Sequence, residues 1–193
     1  MGAEIALLWD RDTPYEQYLR EHGFRYKLVQ PQLLAAPFFS WRAFRLMIVP
    51  AGFGNSYFSG MLAVLRANRA TITSFVRAGG TLLVSGALAH SNAYDWLPLQ
   101  LGYVRKDIQA TIERKKEDMA AQLVEQAVCF CDGYLGTLDD DWDVVLTVTA
   151  DLDVRPVLVV VRYGAGKIIV SSIHEYPSER FLRSCLSAGA GEG

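Results

Sequence analysis

Short apolar runs alternate with amphipathic stretches over the first 90 residues. Residues 4–9 form a short apolar run after Glu4, ending in Asp10-Arg11-Asp12, as a buried strand followed by a polar loop does. Thr13 then stands at an N-cap position with Pro14 opening a helix, and Tyr15, Tyr18 and Leu19 recur at helical spacing until Gly23. Residues 25–29 alternate as a half-buried strand, and 46–50 form another strand that runs into a glycine-rich turn at Gly52–Gly54. From Ser59 to Ala78 the positions of Met61, Leu62, Leu65, Ile72, Phe75 and Val76 predict one or two helices, stopped by Gly79-Gly80. Residues 81–85 are strand again. This β-α-β-x-β-α-β order predicts a parallel sheet with right-handed crossovers.

The second half is less regular. Residues 105–126 are the most charged stretch, and their period fits a strand near Ile108–Ile112 as well as a helix from Lys116. Residues 128–136 read as strand. The acidic run 138–143 reads as a solvated loop, since it lacks the spacing and glycine of a calcium loop. Two β-rich runs, 157–162 and 167–173, are expected to pair antiparallel about Gly164–Gly166. Ser178 caps a closing helix whose stripe is Phe181, Leu182 and Leu186, and 188–193 form a flexible tail. One domain over 1–187 accounts for the pattern, without repeats or a linker.

Composition narrows the function. Half of the chain is hydrophobic (51%) and 21% is charged, as in a folded domain. With 19 basic against 21 acidic residues, the net charge of −2 argues against nucleic acid as a partner. No apolar run is long enough for a bilayer, so a membrane partner is not expected. Three cysteines and no basic leader at Met1–Glu4 point to reduced thiols in the cytoplasm. Cys129 and Cys131 share one strand face and Cys185 lies in the last helix, where packing is their expected role. Cys-x-Cys with three scattered histidines has no zinc spacing, and neither a metal nor a cofactor is expected.

Three segments, "LMIVPAGFGN" (46–55), "ITSFVRAGGTLLVSGA" (72–87) and "YGAGKIIVSSIHEYPS" (163–178), resemble in their order the class I glutamine amidotransferase-like superfamily. The branch most similar in flavour includes domains at the N-terminus of some biotin-protein ligases. The resemblance implies a flavodoxin-like three-layer α/β sandwich, with a mainly parallel sheet and a C-terminal antiparallel hairpin. It also implies a Cys-His-Glu triad with the cysteine in a tight Gly-x-Cys-x-Gly turn. Here that turn reads "SGALAHSN" (85–92), with Leu88 at the nucleophile position if Gly86 is the first glycine. In a shifted register Ser85 or Ser91 is the nearest hydroxyl, and neither has the flanking glycines.

His174 matches the triad histidine. Glu175 follows it directly, where the family leaves one residue between, and Tyr176 takes the acid's place. Adjacent side chains leave a strand on opposite sides, so Glu175 is expected to face solvent or Arg180. The resemblance therefore implies a protein that has lost glutaminase chemistry and binds a small molecule or a partner protein through the old crevice. Its expected rim is Asp10, Gly52, Phe53, Gly54, Asn55, Ser85, Gly86, His90 and His174, with the N–H groups of Gly52–Gly54 open to an anion. One alternative is a hydrolase of another type using His174 or His90 with a metal or water. The other is a structural assembly subunit, with Phe38, Phe39 and Trp41 as its apolar surface and a homo-oligomer as one outcome.

Overall fold

The computed structural model describes residues 2–36, 39–89 and 92–187. In chain order the elements are β1 (Ile5–Leu8), α1 (Pro14–Glu21), β2 (Tyr26–Val29), α2 (Pro31–Leu34), β3 (Leu46–Val49), α3 (Met61–Ala67), α4 (Arg69–Arg77) and β4 (Thr81–Val84). There follow β5 (Leu101–Arg114), β6 (Val128–Leu138), β7 (Asp143–Ala150), β8 (Asp153–Tyr163), β9 (Gly166–Ser171) and α5 (Glu179–Ser187). The strands form one sheet in the order β2-β1-β3-β4-β9-β8-β7-β5-β6.

From β2 to β9 every pairing is parallel. The central strands β1 and β3 are apolar throughout because both faces are covered. Ala6, Leu8, Met47, Val49, Leu82 and Val84 pack on one face with Met61, Leu65, Phe75 and Val76 of α3 and α4. Ile5, Leu7, Leu46, Ile48 and Leu83 pack on the other with Tyr15 and Leu19 of α1 and Phe181 and Leu182 of α5. The chain is thus an α/β protein with a large sheet and helices on both faces. Local chemistry sets the helix starts. Thr13 and Glu16 form a reciprocal cap at α1 with Pro14 in the first turn, and the Ser178 hydroxyl accepts the Phe181 N–H at 3.1 Å.

From β9 outward the pairings are antiparallel, through β8, β7, β5 and β6. The antiparallel part is therefore larger than the expected hairpin, which is present as β8–β9 and turns at Gly164 (φ +65°). The stretch with two readings is resolved as strand. β5 runs 14 residues, and Lys116 begins no α-helix. The Lys115 N–H donates to Val145 O (2.9 Å), and Asp118 caps a short 3-10 turn at Met119–Leu123. Strand pairing to β7 ends at Arg114, and the 3-10 turn at Met119–Leu123 stands where the helix was expected. The acidic run is pinned as a turn, with Asp139 Oδ2 accepting the Gln100 N–H at 2.7 Å and Trp142 Nε1 donating to Gln100 O at 3.0 Å. Phe39 and Trp41 pack partly against the core, and Phe38 lies outside the described residues.

Candidate functional site

Beyond Ser171 the chain leaves β9 and runs antiparallel to β6. The Asp132 N–H donates to Ser172 O and the His174 N–H to Phe130 O, both at 2.8 Å, with Cys131 opposite Ile173. Side chains alternate along both segments. Cys131 and Ile173 turn into the core, so Phe130, Asp132 and His174 share the other face. His174 Nδ1 lies 2.9 Å from Asp132 Oδ1 and 3.0 Å from Oδ2. The Phe130 ring stands edge-on at 5.7 Å. The histidine side chain is 57% exposed, whereas that of Asp132 is 4% exposed. An ionised carboxylate can only accept, so it places the imidazole hydrogen on Nδ1 and leaves the Nε2 lone pair for whatever binds.

Burial pushes the Asp132 carboxyl above its ordinary value, and His174 offsets part of that rise. A carboxyl harder to ionise in the fold than in the unfolded chain subtracts stability at neutral pH. The penalty fades as pH falls through the raised value towards the ~3.9 of an unfolded Asp. Asp132→Asn keeps an acceptor for Nδ1–H and carries no charge. It is expected to be at least as stable as the parent near pH 7, with the difference shrinking towards about pH 4. Urea unfolding of both proteins across pH checks this, and a difference that widens in acid would contradict it.

The turn after β4 sits against this pair. A Cβ on Gly86 would lie 3.1 Å from Asp132 Oδ2 and press on the carboxylate, which would have to shift by a few tenths of an ångström. Two residues on, Leu88 has φ +53°, a left-handed conformation costing a non-glycine residue about 1–2 kcal/mol. The turn after β4 thus carries an aliphatic side chain on a left-handed residue. Tyr94 and Tyr103 close the back of the turn. Their hydroxyls donate to Ser85 O (2.9 Å) and Asp132 O (2.7 Å). Burial pushes both phenols up, helped at Tyr94 by Tyr103 and at Tyr103 by Asp132.

Several expected rim positions have other roles. The Gly52 and Gly54 N–H groups are not open to an anion, because they donate to Gly86 O (2.8 Å) and Ala87 O (3.0 Å). Phe53 lines no crevice. It is fully buried and meets Tyr94 and Trp96 edge-on at 5.3 and 6.1 Å. Asn55 Oδ1 accepts the Tyr57 N–H at 3.0 Å within its own loop. Asp10 Oδ2 accepts the Gly60 N–H at 2.8 Å, tying the loop after β1 to the start of α3. Burial raises the Asp10 carboxyl, but Gly60 and Arg11 outweigh it and hold it below its ordinary value. Ser85 is half-buried beside the Leu88 turn, and His90 lies outside the described residues.

Glu175 does not face solvent or Arg180. Its Oε1 accepts the Phe130 N–H at 2.9 Å, while Oε2 is buried without a partner. The cause is geometric: past His174 the ladder ends, and the Phe130 N–H of β6 needs an acceptor. The three cysteines are buried and free. Burial raises the Cys129 thiol to about 11 and those of Cys131 and Cys185 to about 12, far from a neutral-pH thiolate. Among the described residues no three or more His, Cys, Asp or Glu gather as metal ligands. Among the described residues no helix is long and apolar enough to cross a membrane. Sequence reasoning missed Asp132 and Phe130. The period-2 alternation of Val128–Asp132 set them on one face, but nothing in it said which strand would lie alongside.

No protein-family model matches the sequence, and no curated protein matches it by sequence. Solved structures do match in shape. Cytoplasmic Protein STM3548 from Salmonella typhimurium superposes with a TM-score of 0.62 at 16% identity, over 96% of this chain and 98% of that one. A putative ThuA-like protein from Bacteroides uniformis gives 0.55 at 10% identity, over 97% and 88%. The β-galactosidase from Bacillus circulans sp. alkalophilus gives 0.57 at 13% identity, over 98% of this chain and 31% of that one. The chain thus spans under a third of that enzyme's length. Likeness at these identities is a likeness of fold.

Proposed function

We propose that this chain is a class I glutamine amidotransferase-like domain of flavodoxin-like architecture that performs no glutaminase chemistry. It binds a small molecule or a partner protein at the ends of β4 and β9 through the His174–Asp132 pair. The parallel order β2-β1-β3-β4-β9 is the doubly wound order of flavodoxin-like sheets, and ligands of such sheets sit at the carboxyl ends of the strands. Likeness in fold to a putative ThuA-like protein, a fold of the amidotransferase-like kind, supports the same placement.

The observation that carries the reading is Leu88. It holds the bent position at φ +53° where a nucleophile would stand, and an aliphatic side chain can form no thioester. Leu88→Cys would not supply what else is missing, because the Gly52 and Gly54 N–H groups are already spent on Gly86 and Ala87. What remains is a hydrogen-bonding anchor: an exposed imidazole held by a buried carboxylate, with the Phe130 ring beside it. A pair built this way presents one acceptor nitrogen in a fixed direction, which suits a hydroxyl or amide donor on the bound molecule.

Neither the protein nor its Leu88→Cys variant is expected to release ammonia from glutamine above the buffer rate. Crystals soaked with a fragment library are expected to show density at His174 Nε2, and His174→Ala should remove it without moving Tm by more than about 2–4 °C. Turnover of glutamine by the parent, or fragments that bind His174→Ala as well as the parent, would defeat the proposal.

A further inference from the structure

The stretch of β6 that carries Asp132 lies against a bulge in β5. Arg105 is the register partner of Gly133 and Ile108 that of Cys131, so Lys106 and Asp107 together stand across from Asp132. An extra residue of this kind re-aims the side chains beside it. Asp107 is aimed within electrostatic reach of the site. After His174, the charges that bear most on the Asp132 carboxyl are Asp107 and Glu175, and both raise it. The other bulge residue, Lys106, is paired with Asp151 in the turn between β7 and β8. Arg105 shares the Tyr103 face of β5, opposite to the face that Asp132 takes on β6.

Three carboxylates therefore gather about one imidazole. Among the described residues no lysine or arginine comes within salt-bridge distance of Asp107, Asp132 or Glu175. Glu175 spends Oε1 on the Phe130 N–H at 2.9 Å, and its Oε2 is buried without a partner. The face they border is apolar. Phe130 is exposed beside His174, and Val128, two residues earlier on the same face of β6, is exposed as well. The His174 Nε2 lone pair thus opens beside a short apolar shelf, in a field of one sign.

We infer that the His174 site takes an organic ammonium ion, its N–H on His174 Nε2, its charge towards Asp107 and Glu175, and its apolar body on Phe130 and Val128. The inference rests on reading the His174–Asp132 pair as a binding anchor, and it names the class of molecule that the anchor accepts. Like charges held close together disfavour one another, and a bound cation relieves them. A charged donor also makes a hydrogen bond roughly twice as strong as a neutral one. The Phe130 ring adds attraction, since an aromatic face draws a cation. An anion in the same place would meet only repulsion from the carboxylates.

The test uses three probes that share one ring and differ in charge: benzylammonium, benzyl alcohol and benzoate. Each is titrated into the full chain at pH 8 while NMR follows the ring protons of His174. Benzylammonium is expected to bind about tenfold or more tightly than benzyl alcohol, with benzoate weakest. Asp107→Asn should weaken benzylammonium by about threefold to tenfold and leave benzyl alcohol unchanged. Equal binding of benzylammonium and either other probe, or an ammonium affinity that Asp107→Asn does not move, would overturn the ammonium assignment and leave the His174 anchor standing. If none of the three shifts the His174 signals, the anchor falls and the inference with it. Should Asp107→Asn not fold, ionic strength takes its place. Raising it from about 10 mM to about 1 M should weaken benzylammonium severalfold but not benzyl alcohol, and an unmoved ammonium affinity counts against the assignment.

Discussion

Phe53→Ala is expected to destabilise the protein by about 3–5 kcal/mol, the range for emptying a large aromatic from a closed core. Phe53 has no solvent exposure and fills the space between Tyr94 and Trp96, themselves almost fully buried. None of these rings can swing far. Tyr94 is tied by its hydroxyl to Ser85 O, and Trp96 by its indole N–H to Ala93 O. The cavity would therefore stay open rather than collapse, which places the cost at the upper end. Urea unfolding should show a lower midpoint at an unchanged slope, and Tm should fall by roughly 10 °C or more. A cost below about 1 kcal/mol would mean instead that the ring borders a solvent-filled space.

Gly166→Ala is expected to cost about 3 kcal/mol or more, because the clash is with backbone. A Cβ at this position would lie 2.2 Å from both Gly80 O and Val76 O, and 3.1 Å from the Gly79 carbonyl carbon. No rotamer change relieves this. The β8–β9 turn would have to lift off the end of α4, breaking the Ala165 N–H bond to Arg77 O and the Lys167 N–H bond to Gly80 O. Gly136 supplies the control, since a Cβ there meets Val104 Cγ2 at 3.8 Å, an ordinary contact. Gly136→Ala should change stability by less than about 0.5 kcal/mol. Comparable losses for the two variants would show that backbone entropy, rather than close approach, governs Gly166.

The chain's first half was legible because its signals are local. Thr13-Pro14 with Glu16 caps a helix through contacts within four residues, and the glycines at 52, 79 and 164 adopt φ of +90°, +107° and +65°. Apolar runs such as 46–49 and 81–84 need no partner to declare themselves strands buried on both faces. The left-handed φ of +53° at Leu88 could not be read from the letters. Periodicity failed where one stretch fitted two periods. Residues 101–114 became a single long strand because β6 and β7 offered partners for its backbone, a decision made by residues up to 37 positions away.

The sequence by itself determined the β/α order, the helix caps, the β8–β9 turn and the thiols' place in the core. Each follows from short-range sterics, hydrogen bonding or hydrophobic period. Tertiary structure alone decided what His174 meets. Antiparallel pairing of Phe130–Asp132 with Ser172–His174 brought the imidazole to a carboxylate 42 residues away, and turned Glu175 onto a backbone N–H. It likewise decided that Gly52 and Gly54 would close on Gly86 and Ala87. Side-chain partners across strands depend on register, and register is fixed only when the whole sheet has assembled.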